Sequence, residues 1–312
     1  MISLNKMTYK FTFGPVPSRR LGFSLGIDII PLKTCTYNCI YCQLFQTSNH
    51  TTTRQSFFNK DDILAEIKNK IKTSECIDYI TFSGSGEPTL NSDIGLIIKE
   101  IKSFSNIPVA VITNSSLLWM PEVREDIKDS DLVLPSLDSV TEDIWMQLNR
   151  PDPSLKINKM LEGLKTFCNE HQGIIWLEIM FVSGFNDSIN EARAIADYVN
   201  QLNVDLIQLN TVVRPPNESY SKPVTEEFFK EIAVYFNSKI EVIAPFKKNS
   251  RPSKRDSTPD VILDLLARRP CKPNEMAESL CINLNEISKY LQILVDQEKI
   301  IQEKSGHFSL FH

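Results

Sequence analysis

The sequence predicts an α/β fold: an open, partial TIM-like (βα)6 barrel followed by a small, mainly helical unit. Three observations carry this. Short apolar strands alternate with amphipathic helices of about 10 to 15 residues, the pattern of a parallel sheet wound right-handed with helices outside. Glycines, carboxylates and cysteines fall where those strands end, the edge at which barrels of this kind collect their reactive groups. Asn249 to Thr258 has no apolar residue and reads as a linker. Six βα units are too few to close an eight-stranded barrel, so the expected division is a partial barrel over 1–248, a linker over 249–258 and a terminal unit over 259–312.

Taken in order, the first twenty or so residues read as an extended leader, because Pro15 and Pro17 discourage helix. Arg19 and Arg20 precede the first strand, which covers Ser24 to Ile30, and either face the site or sit at the surface. Lys60 to Ile71 carries apolar residues at 63, 64, 67 and 71, which is helical spacing. Ile77 to Ser83 is the second strand. Asn91 to Phe104 is a helix with apolar positions 94, 97, 98 and 101, and Ile107 to Thr113 is the third strand. Pro121 to Lys128 makes a short helix and Leu132 to Pro135 the fourth strand. Ile174 to Ser183 is the fifth, with Glu178 in its middle. Ser188 to Leu202 is helical, Val204 to Asn210 is the sixth strand, closed by Arg214-Pro-Pro, and Ile240 to Ala244 could add a terminal strand.

Beyond the linker, Pro259 to Arg268 and Pro273 to Leu280 are helices. Asn283-Leu-Asn-Glu286 is a capping box opening a third that runs to about Gln297. Lys299 to Phe311, folded about Ser305-Gly306, is a hairpin. Three helices and a hairpin resemble a winged helix, a unit that reads DNA through a basic third helix. Here that helix offers Lys289 against Glu286 and Asp296, and residues 251–312 carry nine basic and nine acidic side chains, net zero. DNA binding is therefore disfavoured against protein contact, substrate presentation or dimerisation. Cys271 and Cys281 read as packing residues.

At 312 residues and 42% apolar content, the chain can bury a large core. No run approaches the roughly 18 to 20 apolar residues of a membrane span, and Met1 to Met7 lacks a secretory apolar stretch. A cytoplasmic protein is expected, in a reducing, oxygen-poor interior. A net charge of −5 argues against tight nucleic-acid binding.

The densest chemistry lies in Cys35-Thr-Tyr-Asn-Cys39-Ile-Tyr-Cys42, three thiols within eight residues just after a strand. Disulfides are disfavoured by the odd count of seven cysteines and the lack of a secretory stretch. A structural zinc site needs four ligands, whereas the next cysteine, Cys76, stands alone and the histidines form no pair at ligand spacing. Three corners of an iron–sulfur cube with one iron left open is the alternative. Spacing by itself leaves both readings standing. The next motif weighs for the cluster: Ile80-Thr-Phe-Ser-Gly84-Ser-Gly86-Glu87-Pro88, a buried strand breaking into glycines that allow close backbone approach and a carboxylate suited to an ammonium group.

Together, Cys-x3-Cys-x2-Cys with Tyr41 before its last cysteine and Gly-Ser-Gly-Glu-Pro after the second strand resemble the radical S-adenosylmethionine (SAM) superfamily over roughly residues 13 to 245. Phe13-Gly-Pro-Val-Pro-Ser-Arg-Arg-Leu-Gly and Arg214-Pro-Pro are similar to a subgroup related to the wyosine tRNA-modification synthases. The resemblance implies a [4Fe–4S] cluster ligated by Cys35, Cys39 and Cys42, SAM as co-substrate, and a low-potential electron donor such as flavodoxin or ferredoxin. It also implies that Tyr41 flanks the adenine, Gly84, Ser85, Gly86 and Glu87 take the methionine amine, and Ser136, Asp138 and Asn114 meet the ribose.

The implied reaction is reductive cleavage of SAM to a 5′-deoxyadenosyl radical that takes hydrogen from an unidentified substrate; the leader's paired arginines and the terminal unit suggest one larger than a free metabolite. Glu178 and Arg214 are the candidate catalytic or substrate-anchoring residues; their structural alternatives are a polar edge of the wall and a salt bridge. Two other functions are weighed. Wyosine-type tRNA base modification is opposed by the acidic balance and by the lack of a second N-terminal cysteine cluster. An iron–sulfur sensor acting through the winged helix leaves the Gly-Ser-Gly-Glu turn without a purpose.

Overall fold

A computed structural model describes residues 10–18, 20–44, 46–74, 76–213, 216–243, 259–279 and 284–311. Seven parallel strands follow one another around the sheet in the order of the sequence: β2 (Gly22–Ile27), β3 (Tyr79–Phe82), β4 (Val109–Thr113), β5 (Leu132–Pro135), β6 (Ile174–Ser183), β7 (Leu206–Thr211) and β8 (Ile240–Val242). β1 (Thr12–Ser18) pairs antiparallel with β2 at one edge. Among the described residues β8 does not pair back onto β1, so the barrel stays open, as the count of units requires.

Helices connect the strands: α1 (Lys60–Thr73), α2 (Ile94–Phe104), α3 (Pro121–Ile127), α4 (Glu142–Leu148), α5 (Ile157–Glu170), α6 (Ile189–Val199) and α7 (Glu226–Ile232). The side-chain parity of a strand splits the sheet into two faces. Ile80, Phe82, Val109, Val111, Val133, Leu177 and Ile207 belong to the main core, with the buried stripe Ile94, Ile97, Ile98 and Ile101 of α2 packed in the same cluster. The alternate residues, Ala110, Leu132 and Leu134 with Tyr79, Ile112, Trp176 and Leu21, form a separate cluster on the inner face. That face turns polar further along, where Ser24, Thr81, Glu178, Gln208 and Asn210 are all buried.

The leader differs from its expected form. Residues 12–18 are a strand, because the turn at residues 20–21 folds them back onto β2. Glu66 on α1 secures that strand's start. Its Oε1 accepts the Phe11 and Thr12 N–H groups at 2.8 and 2.6 Å and the Thr12 hydroxyl at 2.8 Å. The sequence reading did not resolve α4, α5 and α7. Arg19 lies outside the described residues.

The terminal unit has the expected elements: α8 (Pro259–Arg268), α9 (Pro273–Ser279), α10 (Leu284–Asp296) and an antiparallel hairpin of β9 (Ile300–Gln302) and β10 (Phe308–Leu310). It has its own core of Ile262, Leu265, Met276, Ile287, Leu291 and Phe308, against which Val16 of β1 packs. Cys271 is buried in that core; Cys281, Asn283 and the linker lie outside the described residues. No described helix is long and apolar enough to cross a membrane.

Replacing Glu66 by Ala strands four donors at the start of β1, the N–H groups of Lys10, Phe11 and Thr12 and the Thr12 hydroxyl. Unfolding stability should fall by about 1–3 kcal/mol, read as a lower urea midpoint at unchanged slope; an unchanged midpoint would show that β1 needs no such anchor.

Candidate active site

Beyond β2, the chain forms a loop that opens on the Thr34–Cys35 segment, paired in parallel with Asn49–His50, and carries Cys39 and Cys42 on one turn, where Cys42 N–H donates to the Cys39 carbonyl at 3.2 Å. Three other segments hold this loop. Asn38 N–H donates to the Asn149 carbonyl at 3.0 Å and Ile40 N–H to that of Leu148 at 3.0 Å. The Ile40 carbonyl accepts Glu218 N–H at 2.9 Å and the Ser221 hydroxyl at 3.1 Å.

The third support is the glycine turn after β3. Lys33 N–H donates to the Ser85 carbonyl at 2.8 Å and Glu87 N–H to that of Thr34 at 3.3 Å. A Cβ on Gly86 would stand 1.8 Å from the Thr34 carbonyl oxygen, so only glycine lets the two backbones approach. Gly84 has φ +144° and lies against the Asp28 carboxylate, which accepts Ser85 N–H at 3.1 Å and the Ser85 hydroxyl at 2.5 Å. The turn expected to approach a ligand thus also clamps the cysteine loop.

Glu87 is buried, and its carboxylate is met by four donors. Oε1 accepts Thr89 N–H at 3.1 Å, the Thr89 hydroxyl at 2.7 Å and the Thr113 hydroxyl at 2.7 Å; Oε2 accepts Asn114 N–H at 2.7 Å. Burial raises its pKa against these bonds, which lower it. Burial also pushes the Cys35 thiol up to about 12, with the charge of Glu87 the next cause, and raises Cys39, with Asp138 next. Cys42 is raised by burial too. Each sulfur nonetheless meets an N–H donor: Tyr37 N–H and Asn114 Nδ2 (3.5 Å) at Cys35, Asn149 Nδ2 (3.4 Å) at Cys39, and Leu44 N–H at Cys42.

Asp138 follows β5. Its Oδ2 accepts the Tyr41 hydroxyl and Asn149 Nδ2 (2.7 Å), and its Oδ1 accepts Met180 N–H at 3.0 Å. Burial raises its pKa to about 6 against those bonds. Ser136 N–H donates to the Thr113 carbonyl at 2.9 Å, and Ser136, Asp138, Asn114, Asn149, Tyr37 and Trp145 line one small cavity.

Glu178 lies on the inner face of β6. Asn210 Nδ2 donates to its Oε1 at 2.7 Å, and Arg20 Nη1, reaching in from the β1–β2 turn, stands 2.8 Å from its Oε2. The guanidinium makes a charge contact there rather than an aligned hydrogen bond. Of the two open readings for the paired arginines, Arg20 takes the inward one; Glu178 is inside the barrel and ion-paired. Arg214 lies outside the described residues. Sequence reasoning missed Asn149 and Asp28. Asn149 ends α4 just before Arg150-Pro151, a stop signal that marks a turn without announcing its role.

A family model described as the radical SAM superfamily matches residues 29–197. The chain belongs to the radical SAM superfamily. Members of this superfamily are enzymes that use a [4Fe–4S] cluster and SAM. This radical SAM chain is 37% identical over 298 residues to the UPF0026 protein of Methanocaldococcus jannaschii, covering 93% of this chain and 92% of that one. It is 38% identical over 302 residues to a Brachyspira hyodysenteriae protein named GTPase Obg, covering 96% of this chain but spanning only 44% of that protein's length. This chain has no Gly-Lys pair from which a phosphate-binding P-loop could be built. The solved structure of TYW1 with a lysine-pyruvate adduct bound shares the fold at TM-score 0.53 and 18% identity, over 72% of this chain and 76% of that one.

Gly86→Ala should drive the glycine turn off the cysteine loop, lowering stability by about 3 kcal/mol or more and abolishing iron uptake. Full iron loading with a native urea midpoint would show that the close approach is dispensable.

Proposed function

We propose that Cys35, Cys39 and Cys42 hold three irons of a [4Fe–4S] cluster, that the fourth iron is left for SAM, and that the polar barrel interior receives a substrate from which hydrogen is abstracted. The observation that carries this is the convergence of three N–H-supported sulfurs, the glycine turn and Asp138 on one mouth of a superfamily barrel. Three cysteines on one loop suit three corners of a cube better than a closed four-ligand zinc shell. Buried thiolates beside Glu87 and Asp138 are unfavourable alone, and the positive charge of iron offsets this.

With both bound, the cluster and SAM would supply reductive cleavage of the sulfonium–C5′ bond, with one electron from a low-potential donor such as flavodoxin or ferredoxin, releasing methionine and a 5′-deoxyadenosyl radical that would take a hydrogen atom from the substrate. The chain's own groups bind and orient. Gly84, Ser85, Gly86 and Glu87 receive the methionine amine; Oε2 of Glu87, which accepts Asn114 N–H, keeps acceptor capacity for it. Tyr41 flanks the adenine. Ser136, Asp138 and Asn114 take the ribose hydroxyls, Oδ1 of Asp138 having a lone pair to spare beyond Met180 N–H. Glu178, with Arg20 and Asn210, forms a polar wall for the substrate, and Arg214 is a candidate anchor for an anionic substrate group.

Residues 1–248 form the catalytic unit in this reading, and 259–312, a winged-helix-like unit with six basic and eight acidic side chains, serves protein contact, substrate presentation or dimerisation rather than DNA binding. Wyosine-type tRNA modification is the second reading. The Phe13-to-Gly22 leader favours it and the net charge of −5 weighs against it.

Anaerobic reconstitution followed by dithionite should yield 5′-deoxyadenosine and methionine in equal amounts, and Cys39→Ala should abolish both. An intact cluster that releases neither would contradict the proposal. Asp138→Ala should weaken SAM binding to the loaded protein by about 1.5–3 kcal/mol, at least tenfold by anaerobic calorimetry; unchanged affinity would remove Asp138 from the SAM site.

A further inference from the structure

We infer that Asn114 and Asn149 set the redox poise of the cluster by donating N–H···S hydrogen bonds to two of its three cysteine ligands. The inference rests on the reading of the three cysteines given above, and it assigns Asn114 a sulfur partner in place of a role confined to the ribose. Asn114, at the end of β4, places Nδ2 3.5 Å from Cys35 Sγ and 2.8 Å from Thr36 Oγ1. Asn149, at the end of α4, places Nδ2 3.4 Å from Cys39 Sγ.

The direction of each amide follows from its other partners. Asn114 Oδ1 accepts Ser116 N–H at 3.1 Å, which leaves the NH2 group facing the sulfur. Asn149 Nδ2 stands 2.7 Å from the Asp138 carboxylate, which accepts and does not donate when ionised, so its NH2 group also faces the site. Asn149 is 2% exposed, so water cannot readily replace its N–H groups. Its backbone carbonyl accepts Asn38 N–H, which it shares with that of Arg150. The same residue thereby fixes the loop and touches the sulfur.

An N–H dipole aimed at a thiolate stabilises negative charge on it. Reduction adds an electron to the cluster, so the donor favours the reduced form and raises the potential. Asn114 and Asn149 approach Cys35 and Cys39 from different elements, one following β4 and one ending α4. Cys42 is met by the Leu44 backbone N–H. The two bonds are separable, and their effects should add.

The test uses the full chain, reconstituted anaerobically as the native protein and as Asn114→Ala, Asn149→Leu and Asn149→Gln. Iron and sulfide content are measured first, then the midpoint potential without SAM, by redox titration followed by electron paramagnetic resonance. Loaded Asn114→Ala and Asn149→Leu should have lower potentials, with the reduced-to-oxidised ratio at fixed potential falling about three- to tenfold; tenfold corresponds to about 59 mV for one electron. Asn149→Gln, which retains an amide donor, should recover part of the shift. Native potentials in loaded variants would overturn the inference, as would failure of all three variants to take up a cluster, since that makes both residues folding groups only. A native chain that assembles no cubane would instead sink the underlying reading of the cysteines, a distinguishable result.

Discussion

The constraint on which the rest depends is the burial of three thiols beside two buried carboxylates. Desolvation raises all three thiols, and Glu87 and Asp138 are the next causes at Cys35 and Cys39. As thiolates in an empty pocket these groups would be costly, because burial penalises a charge that lacks a partner. In the proposed cluster iron would supply the partner, and the N–H groups around the sulfurs would stabilise the anionic form. On that proposal a local arrangement unfavourable by itself would become favourable once cationic metal enters, tying metal uptake to the ordering of the loop.

The barrel makes that arrangement geometrically possible. Parallel strands in sequential order bring the ends of β3, β4 and β5 side by side, so residues from Gly84 to Asp138 meet although they are more than fifty positions apart in sequence. Gly86 allows the Thr34 backbone to approach, and through it the loop is registered against β3. From the opposite side, the end of α4 accepts N–H groups of Asn38 and Ile40. The loop is therefore held between two strand-and-helix ends, and small errors in either would move the sulfurs. Inside the curve, Arg20 crosses from the β1–β2 turn to Glu178, placing a paired charge beneath the mouth.

Much of this was legible in the sequence because its signals are local. The alternation of strand and helix, the cysteine spacing and the Gly84-to-Glu87 turn all lie within short windows, and the fourth and fifth strands fall at their expected limits. What was missed depends on contacts distant in sequence. Residues 12–18 have an extended composition that fits a free leader as well as a strand, and pairing with β2 decides between them. Asn149 looks like an ordinary helix end until Cys39 and Asp138 are seen against it. The paired arginines carried no directional signal. Only the partner, Glu178, shows that Arg20 turns inward. Asp28 has no motif of its own, and its role is to hold Ser85 beside Gly84.

The central claim is that three irons are held by protein and one is left for SAM. Mössbauer spectroscopy of the reconstituted, iron-57-labelled chain tests it most directly. The account predicts a four-iron cluster in which the parameters of one iron alone change when SAM is added. A spectrum of a single mononuclear site, or four irons indifferent to SAM, would contradict it.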